Sequence, residues 1–293
     1  MNRYLTTMLV VGLLAPACDG FVCSQERKKA MELSNEGVIA FKNQLYDKAE
    51  RELKLAIQTD PTYELSYYNL GKVYQKQRKW DKAAEAFEGA SERNASNGNY
   101  LYDLGEALLE MKQVEKARDA LKKAVEADPT LVRAHYRLGV ANKVLEEPKA
   151  ADQAFRNAID RDPRFDSAYR DLGYLYLEYD YTEEAAKVFS ECVRINDGSS
   201  MCHHGYGVAL KDLKKFDAAT KAFKAALEID PTMAESVYNC GMAYAEWFDE
   251  THDNSAKASA REYLQKFVTK GGSGPAAGYV KAASDKLYAL SGP

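Results

Sequence analysis

Apolar residues recur along most of the chain at i, i+3, i+4 and i+7, the spacing that puts them on one face of an α-helix, and a second, longer period is laid over the first. Glycine stands at Gly37, Gly71, Gly105, Gly139, Gly173, Gly207 and Gly241, each 34 residues after the one before. Twelve residues after each of the first six comes an alanine: Ala49, Ala83, Ala117, Ala151, Ala185 and Ala219. Four further on stands a bulky residue: Leu53, Phe87, Leu121, Phe155, Phe189 and Phe223. A third rung, Ala56, Ala90, Ala124, Ala158, Cys192 and Ala226, precedes a closing Pro61, Pro129, Pro163 or Pro231, with Ala95 and Asp197 in place of proline in two units.

Glycine inside a helix costs about 1 kcal/mol relative to alanine, so each must be offset by the close approach of a partner helix. The alanines supply that partner surface, and the bulky Leu or Phe fills the space beside it. Each unit therefore reads as a helical hairpin that cannot bury both faces alone, and stacking on neighbours buries the rest. Proline and Asp-Pro end one hairpin and begin the next.

The segment Tyr67-x-x-Leu70-Gly71-x-x-Tyr74, followed by Ala83, Phe87 and Ala90, resembles the tetratricopeptide repeat, and the likeness runs from residue 30 to about 270. The resemblance implies an all-α, right-handed superhelical solenoid of antiparallel helix pairs, about seven units long. Residues 27–270 are expected to form the array and 271–293 a glycine-rich break followed by a capping helix, Ala276 to Leu290, over the open end. The seventh unit regains its phase only at Ala260 and Leu264, seven residues late, which marks Trp247 to Asn254 as an insertion.

In the tetratricopeptide family the first helices line a concave groove, and the resemblance carries that role here to Tyr68, Tyr102, Tyr136 and Tyr238, with Arg170 and His204 in the same register. Around them fall Asn69, Lys72, Asp103, Glu106, Arg133, Arg137, Lys143, Asp171, Tyr174 and Asn239. A protein or peptide is the expected partner, met by rigid aromatic area and by a basic middle of Arg133, Arg137, Lys143 and Arg170. The other reading is that the tyrosines shield neighbouring helices and the arginines make surface pairs. The Lys/Asn/Arg clamp of chaperone-binding relatives is not matched at Tyr68, Lys72, Asn99 and Asp103.

The first residues follow another pattern. Arg3 precedes a short apolar run, Met8 to Leu14, and Ala15-Pro16-Ala17 leads to Cys18, an order similar to the lipobox of bacterial lipoproteins. The resemblance implies a signal peptide over 1–17, lipid on Cys18 and a tether over 18–26; the same Ala-x-Ala also fits simple export. An N-terminal lipid anchor, a periplasm-facing array with the outer membrane favoured, and no enzyme domain together resemble the pilotins of type IV pilus systems. Asp19 after the cysteine would favour the inner membrane under the sorting rule of enteric bacteria. Of the remaining cysteines, Cys192 and Cys202 flank a tight Asn196-Asp197-Gly198 turn within bridging reach, either as a disulfide or as two buried thiols.

Composition excludes more than it identifies. At 46% hydrophobic and 29% charged residues the chain has ample apolar material for a core, and a formal charge of −4 disfavours nucleic acid. There is no nucleophile elbow, phosphate loop or HExxH helix, so no catalytic residue, cofactor or small-molecule substrate is expected. Cys202-His203-His204 is the one cluster to weigh for a metal, yet adjacent helical side chains point about 100° apart. No metal site is expected, His203 being read as packed inside and His204 as facing the groove.

Overall fold

The computed structural model describes residues 24–270 and 274–291, all helical apart from turns. The signal segment, Cys18, Cys23 and most of the expected tether lie outside the described residues. The chain divides into two compact units, one through Asn94 and one from Ala95 onward. The first holds α1 (Gln25–Lys42), α2 (Tyr46–Thr59), α3 (Glu64–Lys76) and α4 (Trp80–Arg93). The second holds α5 (Gly98–Glu110), α6 (Val114–Ala127), α7 (Val132–Val144), α8 (Pro148–Arg161), α9 (Asp166–Glu178) and α10 (Thr182–Ile195). It continues through α11 (Ser200–Asp212), α12 (Phe216–Ile229), α13 (Ala234–Thr251), α14 (Asn254–Thr269), a 3-10 segment Gly274–Tyr279 and α15 (Val280–Ser291).

Each ladder glycine sits on the bulky residue of its own hairpin. A Cβ at Gly71 would lie 2.5 Å from a ring carbon of Phe87, and one at Gly105 would lie 2.6 Å from Leu121. Gly37 meets Leu53, Gly139 Phe155, Gly173 Phe189 and Gly207 Phe223 in the same way. The seats themselves, Leu53, Phe87, Leu121, Phe155, Phe189 and Phe223, are wholly buried. The helix axes thus approach as closely as a missing side chain allows, which is why glycine recurs despite its propensity cost. In the last hairpin the seat of Gly241 is Leu264, at 2.9 Å, so the late phase read from the sequence is met in space. The insertion is absorbed mostly as added turns of α13, 18 residues long, before a left-handed cap at His252.

The turn inside each hairpin has a second ladder. Gln44, Arg78, Lys112, Glu146, Asp180 and Lys214 all have φ between 57° and 62°, and the residue after each donates its N–H to a carbonyl five residues back, as Leu45 does to Ala40 and Lys215 to Leu210. This closure satisfies carbonyls that the helix end would leave open. Between hairpins, Asp60, Asp128 and Asp230 each accept the backbone N–H and the hydroxyl of the threonine two residues on. Those bonds hold the Asp128 and Asp230 carboxyls below their ordinary range.

Within each unit the first helix of a hairpin packs on the second helix of the preceding one: α3 on α2, α7 on α6, α9 on α8, α11 on α10 and α13 on α12. At one of these seams Cys192 of α10 and Cys202 of α11 are joined as a disulfide, with Cα atoms 5.8 Å apart. At the C-terminal end Ala276, Ala283 and Leu290, seven residues apart, are buried in one cluster with Leu264 and Phe267. The start of that segment is a 3-10 turn rather than the α-helix expected from Ala276. Pro275 lacks an N–H and Gly278 favours the coil, so the regular helix begins only at Val280.

Candidate partner-binding groove

In the second unit the first helices lie side by side, α5 by α7, α7 by α9, α9 by α11 and α11 by α13. The residues one after the ladder glycines of α7, α9, α11 and α13, Val140, Tyr174, Val208 and Met242, form a half-buried strip along them, and Glu106 takes that place in α5. Tyr102, Tyr136 and Tyr238 are half-buried in the same row of helices, and Arg133 is exposed.

Most of the polar residues expected on this surface are bonded to the next or previous first helix. The Tyr136 hydroxyl donates to Asp171 Oδ2 at 2.7 Å while Arg170 Nε donates to Asp171 Oδ1 at 2.8 Å. The Tyr136 ring stands edge-on to Phe165 with centroids 5.3 Å apart. Burial, then the Asp171 charge, pushes the Tyr136 phenol up to about 12. Tyr174 is likewise raised by burial; its hydroxyl donates to the Met201 carbonyl at 3.2 Å and its ring meets Phe189 edge-on.

The basic middle is neutralised from within. Arg137 Nε lies 2.6 Å from Glu106 Oε1, and Lys143 Nζ lies 3.2 Å from Glu178 Oε2. Lys211 Nζ lies 3.0 Å from Asp212 and 3.8 Å from Glu246. Burial raises the Glu106 carboxyl despite the Arg137 charge beside it, so this pair is partly desolvated. Among the described residues Arg133 alone of the four expected cations has no acidic partner. The expectation of a basic surface is therefore corrected: Arg137, Lys143 and Lys211 hold adjacent helices together through acids 31 to 35 residues away, one repeat along the chain, and Arg170 is paired with Asp171 beside it.

Two further placements differ from the sequence reading. His204 is 9% exposed, with Nδ1 2.8 Å from Ser236 Oγ on α13, whereas His203 is half-buried with Nε2 3.0 Å from the Asp197 carbonyl. Of the two histidines it is thus His204, expected to face the groove, that is the more buried, because Ser236 of the next first helix covers it. Burial drives the His204 imidazole down to about 4, so it is neutral at pH 7. Asp103 is buried at 5% exposure, away from the surface it was expected to line. Tyr238 is half-buried but covered: its ring stacks on Tyr279 of the C-terminal segment, 4.9 Å between centroids, and tilts against Phe267. Asn239 beside it is half-buried.

In the first unit Tyr68 tilts against Phe87 with Lys72 Nζ 5.7 Å from its ring, and Asn69 Nδ2 reaches Ser34 Oγ at 3.4 Å. Among the described residues no group of three or more His, Cys, Asp or Glu side chains is placed to hold a metal ion, and no helix is long and apolar enough to cross a membrane.

Paired helices repeating every 34 residues, each glycine seated on a Leu or Phe, define an all-α repeat array whose first helices offer a side-chain surface. Tetratricopeptide repeat models match residues 68–132, 132–165 and 202–233. No curated protein matches the chain. Among solved structures it is similar to the C-terminal part of a TPR repeat-containing protein from Cytophaga hutchinsonii, with TM-score 0.68 and 16% identity over 86% of this chain and 98% of that one. It is also similar to pilF of Pseudomonas aeruginosa, with TM-score 0.60 and 17% identity over 72% of this chain and 96% of that one. YrrB, described as a TPR protein with an unusual peptide-binding site, matches with TM-score 0.55 and 19% identity over 63% of this chain and 95% of that one. At these identities the likeness is one of fold.

Proposed function

We propose that this chain is a non-enzymatic scaffold of the bacterial envelope, held to a membrane by lipid on Cys18 and binding a partner protein through the first helices of residues 95–246. The observation that carries the binding is the strip of Val140, Tyr174, Val208 and Met242, beside which the Tyr136 and Tyr174 hydroxyls and the Arg137 charge are already satisfied. Such a surface offers apolar area and rigid aromatics without an unpaired charge field, so it suits an extended or helical peptide rather than an acidic tail. The order Ala15-Pro16-Ala17-Cys18 supports the anchor, and its likeness to pilotins makes a type IV pilus secretin the proposed client.

Two measurements test the parts separately. Detergent-phase partitioning of the wild type should be lost in Cys18→Ala, and equal partitioning would mean a soluble exported adaptor. Photo-crosslinkers at Tyr102, Tyr136 and Arg170 in intact cells should capture one envelope protein. Capture only from positions on the second helices would overturn the choice of surface.

A further inference from the structure

The two hairpin turns of the first unit adjoin along one edge of it, and that edge is basic. Residues 42–48 and 76–82 carry six cations, Lys42, Lys48, Lys76, Arg78, Lys79 and Lys82, against Asp47 and Asp81, in a chain whose formal charge is −4. All six are exposed, and among the described residues none has an acidic partner. Asp47 and Asp81 stand in the first turns of α2 and α4, where a carboxylate meets unsatisfied N–H groups. Glu50, which feels the Lys79 charge, is held by Lys54 and the Tyr74 hydroxyl, and Glu52 pairs with Arg51. Glu85, one turn past Lys82, is exposed and unpaired; counting it, the edge still has twice as many cations as acids.

Apolar side chains stand among these charges. A hollow of about 480 Å³ between the two turns is lined by Leu45, Tyr46 and Gln77. Leu45 is 54% exposed, whereas the same place in later hairpins holds Lys79, Gln113, Glu147, Tyr181 or Lys215, so the turn does not require a leucine. Tyr46 and Trp80, each opening the second helix of its hairpin, are half-buried at the edge. Nor does the turn require bases. Residues 178–184 make a turn with the same left-handed geometry at Asp180 and carry four acids and no base.

The residue types select the occupant. Like charges held together without acids repel one another until an anionic surface neutralises them. Protein interfaces favour arginine and are depleted in lysine, and five of these six cations are lysines. Lysines interleaved with Trp, Tyr and an exposed aliphatic residue are instead the composition that settles on an anionic bilayer. Ammonium heads meet the headgroups while their stems cover apolar surface, aromatic rings sit at the water boundary, and the aliphatic side chain enters the acyl layer. We propose that this edge of the first unit docks on the surface of a membrane rich in anionic lipid, with Leu45 inserted and the six cations on lipid phosphates. This contact adds to the lipid on Cys18 and does not rest on it.

The test uses the chain from residue 18 with Cys18→Ala, which keeps every described residue and lacks both the acyl anchor and the apolar run from Met8 to Leu14. It is sedimented with vesicles of phosphatidylglycerol and phosphatidylcholine in equal parts. Binding is expected to these and not to pure phosphatidylcholine, and it should weaken as salt is raised. Arg78→Gln with Lys79→Gln should weaken it about 25-fold, at about fivefold for each charge near the surface. Leu45→Ser should weaken it several-fold, while Lys122→Gln with Lys123→Gln, which removes two exposed cations from α6, should leave it within about twofold of the parent. Unchanged melting of the variants separates lost contact from lost fold. The proposal fails if the anionic vesicles do not bind, if neutral vesicles bind equally, if the Arg78 and Lys79 double variant binds as the parent does, or if polyglutamate displaces the vesicles at lower concentration than free phosphatidylglycerol vesicles do, which would make the edge a seat for an acidic protein. Detergent-phase partitioning of the lipidated chain is scored separately, so failure of the Cys18 anchor and failure of this contact are read from different experiments.

Discussion

The first helix and the first helices of later hairpins share a register but not a fate. Two residues after the ladder glycine, Val73, Ala141, Leu175, Ala209 and Ala243 are all 0 to 2% exposed, whereas Ile39 at the same place in α1 is 59% exposed. Five residues before the glycine the later helices have Ser66, Ala134, Ala168, Cys202 and Ser236, at most 1% exposed; α1 has Glu32, exposed. One before the glycine they have Leu70, Leu138, Leu172 and Cys240, buried, and Leu104 and Tyr206, half-buried, whereas α1 has Glu36, exposed. The backbone of α1 is therefore ready to receive a second helix on that face, and two carboxylates make the face compatible with water instead. Burial in a stacked array is a property of the neighbour, and the sequence writes it as charge at places where the repeat demands small or apolar residues.

That contrast can be broken on purpose. Ala209→Glu puts an unpaired charge into a 0% exposed seam and should cost about 4 kcal/mol or prevent folding, while Ile39→Glu at the same register should stay within about 0.5 kcal/mol of wild type in chemical denaturation. Equal effects would show that the two faces do not differ. A covered face also shows itself in pH. The unfolded chain protonates His204 near 6.5 and the folded one only near 4, so its contribution is complete above about pH 6.5 and is lost as pH falls toward 4, about 3 kcal/mol in all. His204→Gln should flatten that part of the stability profile, and an unchanged slope would rule the burial out as its cause. Smallest is a pair of glycines outside the ladder. A Cβ at Gly205 would meet two Phe189 ring carbons at 2.3 Å, whereas at Gly278 nothing lies within 4 Å. Overpacking less the gain in helix propensity gives a loss of about 1 to 2 kcal/mol for Gly205→Ala and none for Gly278→Ala, read from melting curves.

The repeat was legible because its signal is local in composition and periodic in position: Gly71 and Phe87 are the same two residue types, 16 apart, as Gly139 and Phe155. Even the late phase of Leu264 could be counted. The groove was legible only as a row of positions. Whether Arg137 is free depends on Glu106 and whether His204 is buried depends on Ser236, each about one repeat away, and a single-position reading does not see them. Opposite charges spaced 31 to 36 residues apart, Lys143 with Glu178 or Lys214 with Glu250, were the available clue.

The left-handed residue inside each hairpin has a consequence for how such an array can change. Gln, Arg, Lys, Glu, Asp and Lys occupy this one geometry, so the torsion angle recurs from hairpin to hairpin while the side chain varies. Each non-glycine residue held there is strained by roughly 1 kcal/mol, so the chain keeps a distributed reserve of firmness, open to stepwise tuning without altering any surface a partner would read.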